Sequence, residues 1–221
     1  MKKKLVWHLG LGDAIICAGI AVKLAQEHGD LAVYCWRHNL ISVQSFFVNH
    51  PEITVIPLDS EAEFPNSGPE VIHLGYFNKE LPRLQGENFD DWFFRQAGMT
   101  SEEVRSFCPI TKIWNLPEYV ERVSSFKDQQ NYAFLHQDES RGFKIDLDRI
   151  EIPVMLPRNK KFSILENVIL MSLATEIHCI DSSFLHLADR VFTTGKLFYH
   201  KYARPNSENI TLTKNWTIYE A

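Results

Sequence analysis

The sequence predicts an α/β protein made of two small parallel-sheet domains that face a cleft. Three observations predict it. Short apolar runs of strand length alternate with longer segments of helical periodicity from residue 4 onward, the polar run Lys127-Asp128-Gln129-Gln130-Asn131 interrupts that alternation once, and the alternation then begins again. A strand followed by a helix and another strand closes a parallel crossover, so each stretch of alternation builds its own parallel sheet. Placing the boundary at the polar run gives domains 1–126 and 127–221. Each has roughly 100 residues, an ordinary domain size.

In the first half, Lys4 to His8 reads as a strand and Gly10-Leu11-Gly12-Asp13 as a tight loop. Ala14 to Glu27 reads as a helix that offers Ile15, Ile16, Ala18, Gly19, Val22 and Ala25 for packing. Gly29 stands where a helix ends in the left-handed conformation. Leu31 to Trp36 reads as a second strand, Asn39 to Val48 as a helix and Ile53 to Pro57 as a third strand. Asp59 to Pro69 is rich in Pro, Ser, Gly and Glu and reads as loop before a fourth strand at Val71 to Gly75. Asn88 to Ala97 sets Phe89, Trp92 and Phe93 on one side of a helix that Gly98 closes, and Pro117 to Phe126 carries Pro at the permitted first turn of another.

In the second half, Tyr132 to His136 and Ile150 to Met155 read as strands and Ile164 to Leu173 as a helix. Glu176 to Ile180 follows as a strand, Ser182 to Arg190 as a helix and Gly195 to His200 as a strand. The tail from Ile210 to Tyr219 either adds a last short strand or crosses back to the first domain.

With 45% hydrophobic residues the chain can bury a sizeable core. Its 23 basic residues are outnumbered by 28 acidic ones, and no basic run extends beyond Lys2-Lys3-Lys4, which argues against nucleic acid as a partner. Cys17, Cys35, Cys108 and Cys179 are widely spaced in apolar runs and read as buried free thiols in a reducing compartment. His8 and Asp13 interrupt the apolar stretch after the lysines, so the start reads as folded protein and the expected location is cytoplasmic. No apolar run approaches the roughly 20 residues of a transmembrane helix.

Four places carry residues suited to chemistry. Gly10 and Gly12 allow close backbone approach, and Asp13 follows them at a helix start; Ile15 in place of a third glycine argues against a dinucleotide. Asp13 either caps that helix or acts as a general base that takes a proton from a hydroxyl. The loop from His136 to Lys144 follows a strand: Arg141 and Lys144 either hold a diphosphate, Arg by paired hydrogen bonds and Lys as a point charge, or pair with neighbouring acids as solvated surface. Glu166 either accepts the hydroxyls of a ribose or complements a helix dipole. Between Glu176 and Ala188 a strand turns through Asp181-Ser182-Ser183 into an apolar-faced helix, with Asp181 or Ser182 as the cap. Two hydroxyls, free backbone N–H groups and a helix dipole suit phosphate there, although an ordinary capped turn looks the same. His178 and His186 read as structural, no residues have metal-ligand spacing, and Trp92, Phe93 and Phe94 read as core or domain-contact residues.

These features together resemble the metal-independent glycosyltransferases of the GT-B fold, particularly bacterial heptosyltransferases and more distantly fucosyltransferases. The resemblance rests on His8-Leu9-Gly10-Leu11-Gly12-Asp13 in the first half and Ile180-Asp181-Ser182-Ser183-Phe184-Leu185-His186-Leu187-Ala188 in the second. It implies two Rossmann-like domains, an acceptor-side one followed by a nucleotide-sugar donor domain. It also implies transfer of a hexosyl or heptosyl group from a nucleoside diphosphate sugar to a hydroxyl, with no cofactor and no obligatory metal. Asp13 is then the catalytic base, Arg141 meets the diphosphate, Glu166 lies near the ribose, and Ser182 and Ser183 bind phosphate. The chain is shorter than typical members and its second half is abbreviated. The alternative it leaves is a catalytically inactive nucleotide- or sugar-binding scaffold on the same fold.

Overall fold

The computed structural model describes residues 2–65, 68–115, 131–157, 163–205 and 207–220. The chain divides into two compact units: Met1–Ile110 with Asn209–Thr211, and Thr111–Glu208 with Leu212–Ala221. Among the described residues each unit contains one wholly parallel sheet. The boundary expected at residue 126 and the helix expected over Pro117 to Phe126 lie outside the described residues.

Unit 1 runs β1 (Lys3–Val6), α1 (Leu11–His28), β2 (Leu31–Trp36), α2 (Leu40–Phe46), β3 (Ile53–Leu58), β4 (Val71–His73), α3 (Phe89–Gln96) and α4 (Ser101–Phe107). Its strands lie in the order β3-β2-β1-β4. Because side chains alternate along a strand, Val6, Ala32 and Tyr34 fill one face with Leu9, Leu58 and Phe64, while Leu5, Val33 and Cys35 are buried on the other. Every residue of α1 from Ala14 to Val22 is buried, and the helix packs against both β2 and α4. Gly19 is what permits that second contact: a Cβ there would run into the backbone carbonyl of Val104 in α4. The sequence reading missed α4 although its signal was present. Thr100 and Glu103 form a reciprocal cap, the Thr100 hydroxyl accepting from the Glu103 N–H at 3.2 Å and the Glu103 carboxylate accepting from the Thr100 N–H at 2.8 Å.

The loop expected at Gly10 to Asp13 is a correction. Helix α1 already begins at Leu11 with Gly10 as its cap, so Asp13 lies in the first turn and is not the capping residue. Gly10 itself has extended backbone with φ −64°, which any residue can adopt. Its lack of a Cβ matters for another reason: a Cβ would collide with Oδ2 of Asp13.

Unit 2 runs β5 (Ala133–His136), β6 (Val154–Met155), α5 (Glu166–Leu173), β7 (Glu176–Cys179), α6 (Ser183–Arg190), β8 (Lys196–His200) and β9 (Trp216–Tyr219), with strand order β6-β5-β7-β8-β9. Edge strand β6 is far shorter than the expected Ile150 to Met155. Ile150 closes a short turn onto Leu147, and Pro153 offers only its carbonyl to Ala133, having no N–H for a ladder. Both alternatives for the tail are realised: Asn209–Thr211 belongs to unit 1 and Trp216–Tyr219 forms β9. Asp189 anchors the return, accepting from the Thr213 N–H (3.0 Å), the Thr213 hydroxyl (2.9 Å), the Lys214 N–H (3.1 Å) and the Trp216 indole (3.0 Å).

His178 and His200 lie buried against each other on neighbouring strands, Nδ1 to Nε2 at 2.9 Å. Tyr202 accepts from the Asp146 N–H and turns its own hydroxyl proton to His200 Nδ1, His200 Nε2–H donates to His178 Nδ1, and His178 Nε2–H reaches Glu176. Every step of that chain works with both imidazoles neutral. Burial holds His178 below the ordinary histidine range and pushes His200 down to about 4. Among the described residues no helix is long and apolar enough to cross a membrane.

Candidate functional site

Parallel sheets of this kind take ligands outside the carboxyl ends of their strands, at the point where strand order reverses. In unit 1 that point lies between β1 and β4; in unit 2 it lies between β5 and β7. A histidine stands at each, His8 just past β1 and His136 as the last residue of β5.

His8 is tied to the neighbouring strand's loop twice. Its Nε2 accepts from the Tyr76 N–H at 2.7 Å, and its ring stacks on the Tyr76 ring with centroids 4.6 Å apart. Gly75 makes the first tie possible, since it has φ +68° and a Cβ there would strike His8 Nε2. The Gln96 side chain fixes that turn from below, accepting from the Gly75 N–H at 2.5 Å and donating to the Gly75 carbonyl at 3.1 Å. Phe77, Phe89, Trp92 and Phe93 complete an aromatic surround, and burial within it pushes the His8 imidazole down to about 4. Asp13 presents Oδ1 to His8 Nδ1 at 4.0 Å, with both side chains mostly buried. The first turn of an 18-residue helix, with its positive dipole end, favours a carboxylate there.

In unit 2, Ser182 occupies the cap position of α6 but makes no side-chain cap bond. Its hydroxyl donates to the Ile180 carbonyl at 3.2 Å, so it accepts the Nδ1–H of His136 at 3.0 Å. His136 stacks on Phe184 at 4.2 Å, which repeats the histidine-on-ring arrangement of unit 1. Ser183 is the first residue of α6. Burial pushes the Asp181 carboxyl up, against the pull of Arg204, which donates to the Asp181 carbonyl at 2.6 Å.

Arg141 spends one donor inside its own loop, Nε to Asp138 Oδ2 at 2.5 Å, and Asp138 also accepts from the Ser140 hydroxyl at 2.6 Å. These bonds hold Asp138 below the usual carboxylate range. The guanidinium of Arg141 lies 5.3 Å from the Phe143 ring, and that of Arg204 lies 5.8 Å from the same ring. Phe143 thereby gathers two cations beside the turn that opens α6. Lys144 is exposed on the same loop. Glu166 opens α5, the helix between β6 and β7, and is partly buried.

The fold thus brings Gly10, Gly12 and Asp13 together at one helix start, and Ser182, Ser183 and Arg141 to one edge of the second sheet. The sequence reading gave His136 and Arg204 no role, and Tyr76 and Gln96 escaped it. The available signal was a histidine that closes an otherwise apolar strand in each half. Among the described residues no group of three or more His, Cys, Asp or Glu is placed to hold a metal ion.

No protein-family model and no curated protein matches the chain. Among solved structures it is similar to the crystal structure of the glycosyl transferase family 9 from Veillonella parvula DSM 2008, at 10% identity over 90% of this chain and 80% of that one, with a TM-score of 0.46. A likeness at that level assigns neither a family nor an activity.

Proposed function

We propose that this chain is a glycosyltransferase of the hexosyl- or heptosyl-transferring type that moves a sugar from a nucleoside diphosphate sugar to a hydroxyl acceptor without an obligatory metal. Unit 1 serves the acceptor and unit 2 the donor. The observation that supports this most is the placement of complementary chemistry at the two switch points: a carboxylate on a helix start in unit 1, and a hydroxyl-bearing helix start with two arginines in unit 2. Asp13 takes the proton of the acceptor hydroxyl while its oxygen bonds to the anomeric carbon. The bond from that carbon to the diphosphate breaks, and its electron pair leaves on the diphosphate oxygen. The start of α6, Arg141, Lys144 and Arg204 stabilise that charge, and Glu166 receives the ribose.

A second reading, a nucleotide- or sugar-binding protein without transfer, is favoured by one observation: Arg141 is already bonded to Asp138 in its own loop. A thermal-shift series against nucleoside diphosphates and their sugars, with and without chelator, comes first. A ligand at a hundred times its dissociation constant adds about 2.7 kcal/mol of stability. The expected result is a chelator-resistant shift with at least one nucleotide that shrinks in Arg141→Ala, together with donor consumption that Asp13→Ala lowers by ~10²- to 10⁴-fold while leaving the shift intact. No shift with any nucleotide removes the donor site. A shift without transfer by the native protein selects the second reading, and unchanged turnover in Asp13→Ala removes that residue from the mechanism.

A further inference from the structure

We infer that His8 is a positioning residue that acts as a locked, uncharged Nδ1–H donor addressed to the carboxylate of Asp13. The inference rests on the reading of Asp13 as the base. Since Nε2 accepts the Tyr76 N–H at 2.7 Å, that nitrogen carries no proton, and a neutral ring must hold its single proton on Nδ1. Nδ1 is the atom that faces Asp13 Oδ1.

The lock is built over several contacts. Gln96 clamps the turn at Gly75, Gly75 lets the Tyr76 N–H reach the ring, and the Tyr76 and Phe93 rings hold its plane from a stacked and an edge-on direction. Of the groups around the ring, Phe77, Phe89, Trp92 and Phe93 are uncharged, Tyr76 lies face to face with it, and Asp13 is its carboxylate neighbour. The separation of 4.0 Å exceeds a hydrogen bond. Catalytic contacts are often long without ligand and tighten when the reactants are bound. On closing, the N–H fixes the orientation of the carboxylate and stabilises its charged form. His8 neither gains nor loses a proton in the transfer; the acceptor's proton goes to Asp13.

The primary test needs no substrate. In ¹⁵N-labelled protein, with His8 assigned through His8→Gln, the ring nitrogens at pH 7 are expected to show a protonated Nδ1 and an unprotonated Nε2. Asp13→Asn is expected to shift the Nδ1 resonance and lower the ring's titration midpoint further. An Nε2–H tautomer, or a ring indifferent to Asp13→Asn, overturns the inference whatever the fate of the transfer reading. In turnover, His8→Gln is expected to cost on the order of 10-fold in kcat, to move the acid limb of the kcat–pH profile upward, and to leave nucleotide thermal shifts unchanged. His8→Asn, whose amide N–H can occupy the Nδ1 position, is expected to recover part of the loss. Equal losses in both variants with an unmoved pH limb indicate packing alone and overturn the assignment.

Discussion

At Gly10 the missing Cβ leaves the space into which Asp13 Oδ2 projects, which is a different use of glycine from the sharp turn that the sequence suggested. Gly10→Ala therefore forces the far end of a flexible side chain to move, while the backbone conformation stays available to alanine. We expect the variant to lose no more than about 1 kcal/mol of stability, the order of cost of alanine at a helix cap, yet to lose most of its donor turnover. Equal turnover would mean that the carboxylate's position is unimportant. Asp13 was legible as a helix-start carboxylate because the preference of a first turn for an acid is local. His8 was not, because its neutral state depends on rings at Tyr76, Phe89 and Phe93 that only the fold brings near it. Arg204 was illegible for the same reason, since its partner Asp181 lies in another loop.

Elements whose signal is periodic were read well. Strand β2 has the expected bounds, and α3 lies within the expected span with Asn88 as its cap and Ala97 after its last turn. Those decided by a single residue's backbone were read less well. Pro153 shortens β6, and Gly19 exists to let α4, an element not expected at all, approach α1. Gly19→Ala gains helix propensity by roughly 1 kcal/mol, but its methyl would meet a backbone carbonyl that cannot rotate away. Overpacking of that kind costs about 1–3 kcal/mol, so we expect a net loss of stability. A urea midpoint at or above that of the native protein would show that α4 can shift to make room.

The whole molecule repeats one plan, a parallel sheet whose switch point carries a ring-stacked histidine; the strand–helix alternation made the two sheets visible before any contact was known, but not the stacked histidines. Each unit also holds a neutral imidazole, partly buried His8 in unit 1 and fully buried His200 in unit 2, both pushed down to about 4 by desolvation. An unfolded chain takes up those protons near pH 6.5, so the folded state is favoured fully above that value and loses ground as pH falls towards about 4. For fully buried His200 the loss at pH 5 is on the order of 2 kcal/mol, and urea midpoints at pH 7 and pH 5 should differ accordingly; equal midpoints would place a charged or exposed ring there. The buried thiols are divided unevenly, with Cys17, Cys35 and Cys108 in unit 1 and Cys179 in unit 2. Burial pushes Cys35 up to about 11 and Cys179 further still, so neither offers an alkylating reagent the thiolate it needs until its surroundings open. Iodoacetamide uptake followed peptide by peptide would then act as a stopwatch for each half of the chain, started as the surroundings of its thiol open.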